Sequence, residues 1–128
     1  MQILHEQSRS SSIVDAYEKI TSSETRSAFM YMIVNSGRLK DINTTSSSEG
    51  NKKHIDFRKG NTIYFAFITN SEWLLFYFRK PLFNNESVTR NDIYLNFPLA
   101  ELNPTDEITL KIHSLDDVKR VFEFISTL

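Results

Sequence analysis

The sequence predicts a two-layer α+β domain, a mainly antiparallel sheet of about five strands with N-terminal and C-terminal helices packed on one face. Three observations carry this expectation. Residues 62–69 and 73–78 are two short apolar, aromatic runs separated by a turn, the pattern of a β-hairpin. Further segments at 54–58, 92–97 and 107–113 alternate apolar and polar residues. Helical spacing is confined to the two ends of the chain, and segregated helices with short turns between strands favour an antiparallel sheet.

Residues 1–11 are polar and serine-rich and read as a flexible N-terminal arm, with a single domain over 12–128. Ser12 and Asp15 have capping-box spacing, and Ile13, Val14, Tyr17 and Ile20 recur at helical intervals. Thr21 and Glu24 repeat the start signal. Residues 28–34 form a solid apolar run, ended by Gly37 in the position of a helix C′ residue. A strand over 29–34 is the competing reading. Residues 43–53 read as a polar, mobile loop. Residues 54–58 form a strand with Ile55 and Phe57 inward, and Lys59-Gly60-Asn61 turns into the hairpin. Residues 92–97 read as a strand with Ile93, Leu95 and Phe97 inward. Residues 103–106 are a turn, and residues 107–113 alternate most cleanly. Ser114 caps the last helix, with Asp116 and Asp117 at its positive end and Leu115, Val118, Val121, Phe122 and Ile125 as its apolar stripe.

The hairpin has two unlike faces. A two-residue loop would pair Thr69 with Glu72. Alternation then puts Ile63, Phe65, Phe67, Leu74, Phe76 and Phe78 on one side and Tyr64, Ala66, Ile68, Trp73, Leu75, Tyr77 and Arg79 on the other. The first face is core. The second carries aromatic bodies with polar tips.

At 128 residues the chain can bury about two-thirds of its unfolded surface, enough for one core. It has no cysteine, which excludes disulfides, thiol nucleophiles and cysteine-ligated zinc. No apolar run approaches the roughly 20 residues of a membrane span, and the N-terminus lacks a signal-peptide pattern. Together these point to a cytoplasmic protein that does not engage membranes. The formal net charge is −1, but it is unevenly spread. Residues 52–90 carry seven basic and three acidic side chains, whereas 91–128 carry three and seven. The aromatic hairpin thus sits in the one positive segment. That asymmetry suits an anionic partner, or mutual neutralisation within the chain.

Catalytic signals are weak. His5, His54 and His113 are far apart in sequence, and only His54 and Asp56 share a strand face. The serines lie in polar runs without a nucleophile setting, and three glycines cannot make a phosphate loop. No cofactor or metal is expected. A helix-turn-helix over 25–42 finds only one convincing helix.

The sharper pattern is the sheet face opposite the core. There Arg58, Tyr64, Trp73, Tyr77, Arg79 and Lys111 are the expected binding residues, with His54, Asp56, Tyr94 and His113 beside them. Aromatics interleaved with cations suit stacking on unpaired bases and contacts to phosphates. The sequence therefore predicts a small non-catalytic binding domain for single-stranded nucleic acid. The alternative is a protein–protein module, such as an adaptor, an inhibitor or an immunity-type protein. It would use the same face or the acidic C-terminal helix, and a second copy of the chain is one such partner.

Overall fold

The computed structural model describes residues 13–49, 52–84 and 87–128. The chain is a two-layer α+β fold. A six-stranded antiparallel sheet is covered by helices on one face. Helix α1 is described over residues 13–18, and α2 runs Ser23–Asn35. Strands β1 (Asn43–Glu49), β2 (Lys52–Lys59), β3 (Thr62–Thr69) and β4 (Leu74–Phe78) follow as a meander. Helix α3 (Arg90–Asn96), β5 (Glu101–Leu102), β6 (Ile108–Ile112) and α4 (Leu115–Ile125) complete the chain. The strand order is β1-β2-β3-β4-β6-β5, with every neighbouring pair antiparallel.

Side-chain alternation builds the core. Ile55 and Phe57 of β2, Phe65 and Phe67 of β3, Leu74, Phe76 and Phe78 of β4 and Ile108, Leu110 and Ile112 of β6 are all buried. Helix α2 adds Ala28, Phe29 and Met32; α4 adds Val118, Val121, Phe122 and Ile125. Phe29 meets Phe67 edge-on at 5.8 Å, and Phe78 meets Phe124 in the same way at 6.4 Å, so both helices lie on one sheet face. Edge-to-face packing suits the aromatic quadrupole and adds to the burial of area. The N-terminal arm expected at 1–11 and the Ser12 cap lie outside the described residues.

Three local expectations are corrected. The expected loop at 43–53 is largely strand: Asn43 to Glu49 pair residue by residue with Lys52 to Arg58 at the sheet edge. Serine and threonine lack an apolar face to betray a strand, but an edge strand with solvent beside it does not need one. Strand β1 is thus unexpected, as is β5 at Glu101–Leu102, and together they bring the sheet to six strands although 92–97 is lost from it. Residues 92–97 are not a strand but α3, started by a reciprocal capping box in which Thr89 Oγ1 accepts from the Asp92 N–H and Asp92 accepts from the Thr89 N–H. Alternation of Ile93, Leu95 and Phe97 misled because only Ile93 and Phe97, four apart, are buried, while Leu95 is 71% exposed. Gly37 is not a left-handed cap; α2 ends through a 3₁₀ turn over Ser36–Arg38. After Arg38 the chain enters β1, so no second helix follows α2 to form a helix-turn-helix.

The hairpin register also differs. Thr69 pairs with Leu74, not Glu72, across the four-residue loop 70–73. The slip is two residues, so Phe67 now faces Phe76 and Phe65 faces Phe78, yet the paired side chains from Phe65 to Phe78 keep their faces. The start of α4 follows the sequence, whereas α2 is capped by Ser22, one residue after the expected Thr21 signal. Ser22 caps α2 by accepting from the Thr25 N–H, and Ser114 caps α4 by accepting from the Asp117 N–H.

Candidate nucleic-acid interface

The face of the sheet opposite the helices gathers polar and aromatic side chains from three strands. β2 contributes His54, Asp56 and Arg58; β4 contributes Leu75 and Tyr77, with Trp73 before it and Arg79 after it; Lys111 comes from β6 and His113 follows it. These positions alternate with the buried core positions of the same strands.

Trp73 is set at one end of this face by a fixed loop. The Asn70 N–H donates to the Trp73 carbonyl, and the Ser71 carbonyl accepts from the Thr21 and Ser22 N–H groups and from Thr21 Oγ1. The fully buried Thr25 hydroxyl lies 2.9 Å from the Glu72 carbonyl and 3.0 Å from the His113 carbonyl. These bonds tie the loop to the start of α2 and to the end of β6. Lys111 Nζ lies 4.6 Å from the centroid of the Trp73 ring, and the His113 ring is 6.4 Å away. Trp73 is half-buried, held in a cation–π contact on the helix-free side.

The centre of the face is built around Ala66. Ala66 pairs with Asp56 on one side and Tyr77 on the other. The His54 and Tyr77 rings stand two strands apart, yet their centroids are 6.4 Å from each other. Two strand spacings are about 9.6 Å, so both rings lean over β3. They cover Ala66, which is fully buried, and help bury Asp56, which is 1% exposed.

Beyond Tyr77 the face opens into a basin of about 950 Å³, walled by Arg58, Arg79, Lys80, Thr105 and Glu107. That is ample for a nucleotide, since ligand sites run from roughly 300 to 1,000 Å³. Arg79 forms an ion pair with Glu107 across β4 and β6. The Thr105 hydroxyl lies 3.3 Å from the same carboxylate, and the Glu107 N–H donates to Asn103 Oδ1. Burial raises the Tyr77 phenol above its ordinary value of 10.0; the Glu107 carboxylate adds to the shift and Arg79 opposes it. Arg58 Nε donates to Thr45 Oγ1 on β1.

Five of the six expected binding residues share this face: Arg58, Trp73, Tyr77, Arg79 and Lys111. Tyr64 does not. The β2–β3 register slips between Phe57, opposite Phe65, and Arg58, opposite Ile63, leaving Tyr64 as the extra residue of a β-bulge. The bulge turns Tyr64 to the helix side, where it packs against the core, and brings Ile63 into the outer basin in its place. Tyr94 is also removed from the face, because α3 packs it against the core on the helix side. Glu107 was missed as a site residue. Its signal was its spacing, two and four residues before Thr109 and Lys111, and it needed only the β4–β6 pairing to be placed.

Among the described residues no group of three His, Asp or Glu side chains is placed to hold a metal ion, and no helix is long and apolar enough to cross a membrane. The chain matches no protein-family model, and no curated protein or solved structure resembles it significantly.

Proposed function

We propose that this domain is a non-catalytic binding protein that seats single-stranded nucleic acid on the helix-free face of its sheet. One observation carries the reading: Trp73 and Tyr77, four residues apart, present aromatic rings on the same side as Arg79, as Lys111 of the neighbouring β6 and as Arg58 of β2, two strands away. Bases stack on aromatic rings at about 1–3 kcal/mol each, and neighbouring cations take the phosphates. The basin beyond Tyr77 has room for one nucleotide. Fluorescence anisotropy of labelled single-stranded oligonucleotides, titrated at rising salt, tests it. With Arg79 held by Glu107, phosphates meeting Arg58 and Lys111 would give a log–log salt slope of about −1.4, at roughly −0.7 per phosphate on a single strand.

A protein partner is the second reading, favoured by the Arg79–Glu107 pair. That pair neutralises one of the cations on which phosphate binding would draw, and half-buried tryptophan and tyrosine also serve protein interfaces. Binding to a protein would leave the salt slope small.

A further inference from the structure

The bulge that removes Tyr64 from the outer face delivers it to a separate cavity on the other side of the sheet. This cavity, of about 270 Å³, lies where the 3₁₀ turn after α2, the end of β2 and the last turn of α4 converge. Its floor is apolar, with Leu82 and Ile125 both buried. Three cations, Arg38, Lys40 and Lys59, line it together with Tyr64, and the described lining contains no aspartate or glutamate. Leu128, the last residue of the sequence, also lines the cavity, but every charged side chain of the described lining is basic. An apolar floor beneath basic side chains is the make-up of a ligand site, where apolar walls supply affinity and a few polar groups fix orientation. All three cations are exposed.

We propose that this cavity binds a small amphipathic anion: a compact aliphatic body with a single carboxylate or phosphate head. The body would lie against Leu82 and Ile125, and the head would meet Arg38, Lys40 and Lys59. Size decides against a nucleotide. The volume falls just below the range of roughly 300–1,000 Å³ for drug-sized ligands, and base, ribose and phosphate together would overfill it. The site is also separate from the outer face, because the sheet lies between them.

Titration calorimetry of the full chain with octanoate and with octyl phosphate tests this, with octanol and octylamine as neutral and cationic counterparts. Methyl NMR shifts at Leu82 and Ile125 locate the binding, and Trp73 fluorescence reports the opposite face. One or both anions should bind saturably, at least about tenfold tighter than octanol, with shifts at both methyl groups and Trp73 unmoved. Octylamine should not bind. Lys40→Glu with Lys59→Glu should weaken the anion about tenfold or more and leave octanol unchanged; both positions are exposed, so the fold is retained. No saturable binding of either anion below about 1 mM, a Kd that corresponds to little free energy, would overturn the proposal. So would equal binding of octanol, an anion affinity indifferent to the double charge reversal, or shifts confined to the Trp73 face.

Discussion

Glu107 forms an ion pair with Arg79 across the β4–β6 ladder, with the Glu107 side chain 11% exposed and that of Arg79 33% exposed. The pair joins the acidic C-terminal part of the chain to the basic hairpin, so part of the charge asymmetry in the sequence is spent inside the fold. It also shapes the candidate interface, because Tyr77 stands beside both partners. Glu107→Gln should release Arg79 toward solvent. Oligonucleotide affinity should rise and the salt slope should steepen by about one unit, the change expected for one added phosphate-binding cation. The Tyr77 phenol should titrate at lower pH, since one of the influences raising it is gone; ultraviolet difference spectra through the alkaline range read this. A raised phenol stabilises the fold below the unfolded value near 10 and loses that contribution as pH rises toward its folded value, so wild-type stability should fall in strong alkali.

Phe76 is fully buried and its ring touches those of Phe57, Phe65 and Phe78, the last at 5.1 Å. Phe76→Ala should cost about 3–5 kcal/mol, the range for truncating a core phenylalanine. Urea denaturation followed by circular dichroism measures it, and a variant that unfolds like wild type would contradict the placement of the core.

Much of the fold was legible because burial imposes a period. Phe65, Phe67, Phe76 and Phe78 had to share a face in any register that slips by an even number, which is why the four-residue loop left the core intact. Ser114 was legible through cap chemistry that acts within four residues, whereas the Thr21 signal fell one residue before the actual cap, Ser22. Strand β1 was not, since Thr44, Thr45 and Ser46 carry no apolar signal and are fixed by pairing with β2. Tyr64 was misplaced because a bulge depends on how two strands meet, which neither strand encodes alone. The outer face was legible for residues within single strands, but the pairing of Arg79 with Glu107 joins positions 28 apart and needed the strand order.

The start of α4 links stability to acid pH. Burial pushes the Asp117 carboxyl up, but the hydrogen bond from the His113 N–H and the Arg120 guanidinium, 2.6 Å away, outweigh it and hold the group below its ordinary value of 3.8. A carboxyl lowered in the fold adds stability above its unfolded value, and that contribution is lost as pH falls through the lower folded value. Asp117→Asn should therefore lower stability at neutral pH and flatten its decline below about pH 4. Ser114→Ala should cost about 1 kcal/mol at any pH, as loss of a helix cap does. Thermal unfolding of both variants from acid to neutral pH separates the two effects.

The chain has a single tryptophan, so its emission reports the outer face alone. Titrating wild-type protein with single-stranded oligothymidylate at low salt, while following Trp73 fluorescence, tests the proposed nucleic-acid interface most directly. Saturable quenching that weakens steeply as salt is raised, with Trp73→Ala binding about tenfold or more weaker by anisotropy, is the predicted result. Trp73 emission indifferent to the oligonucleotide, or a Trp73→Ala variant that binds as wild type does, would contradict it.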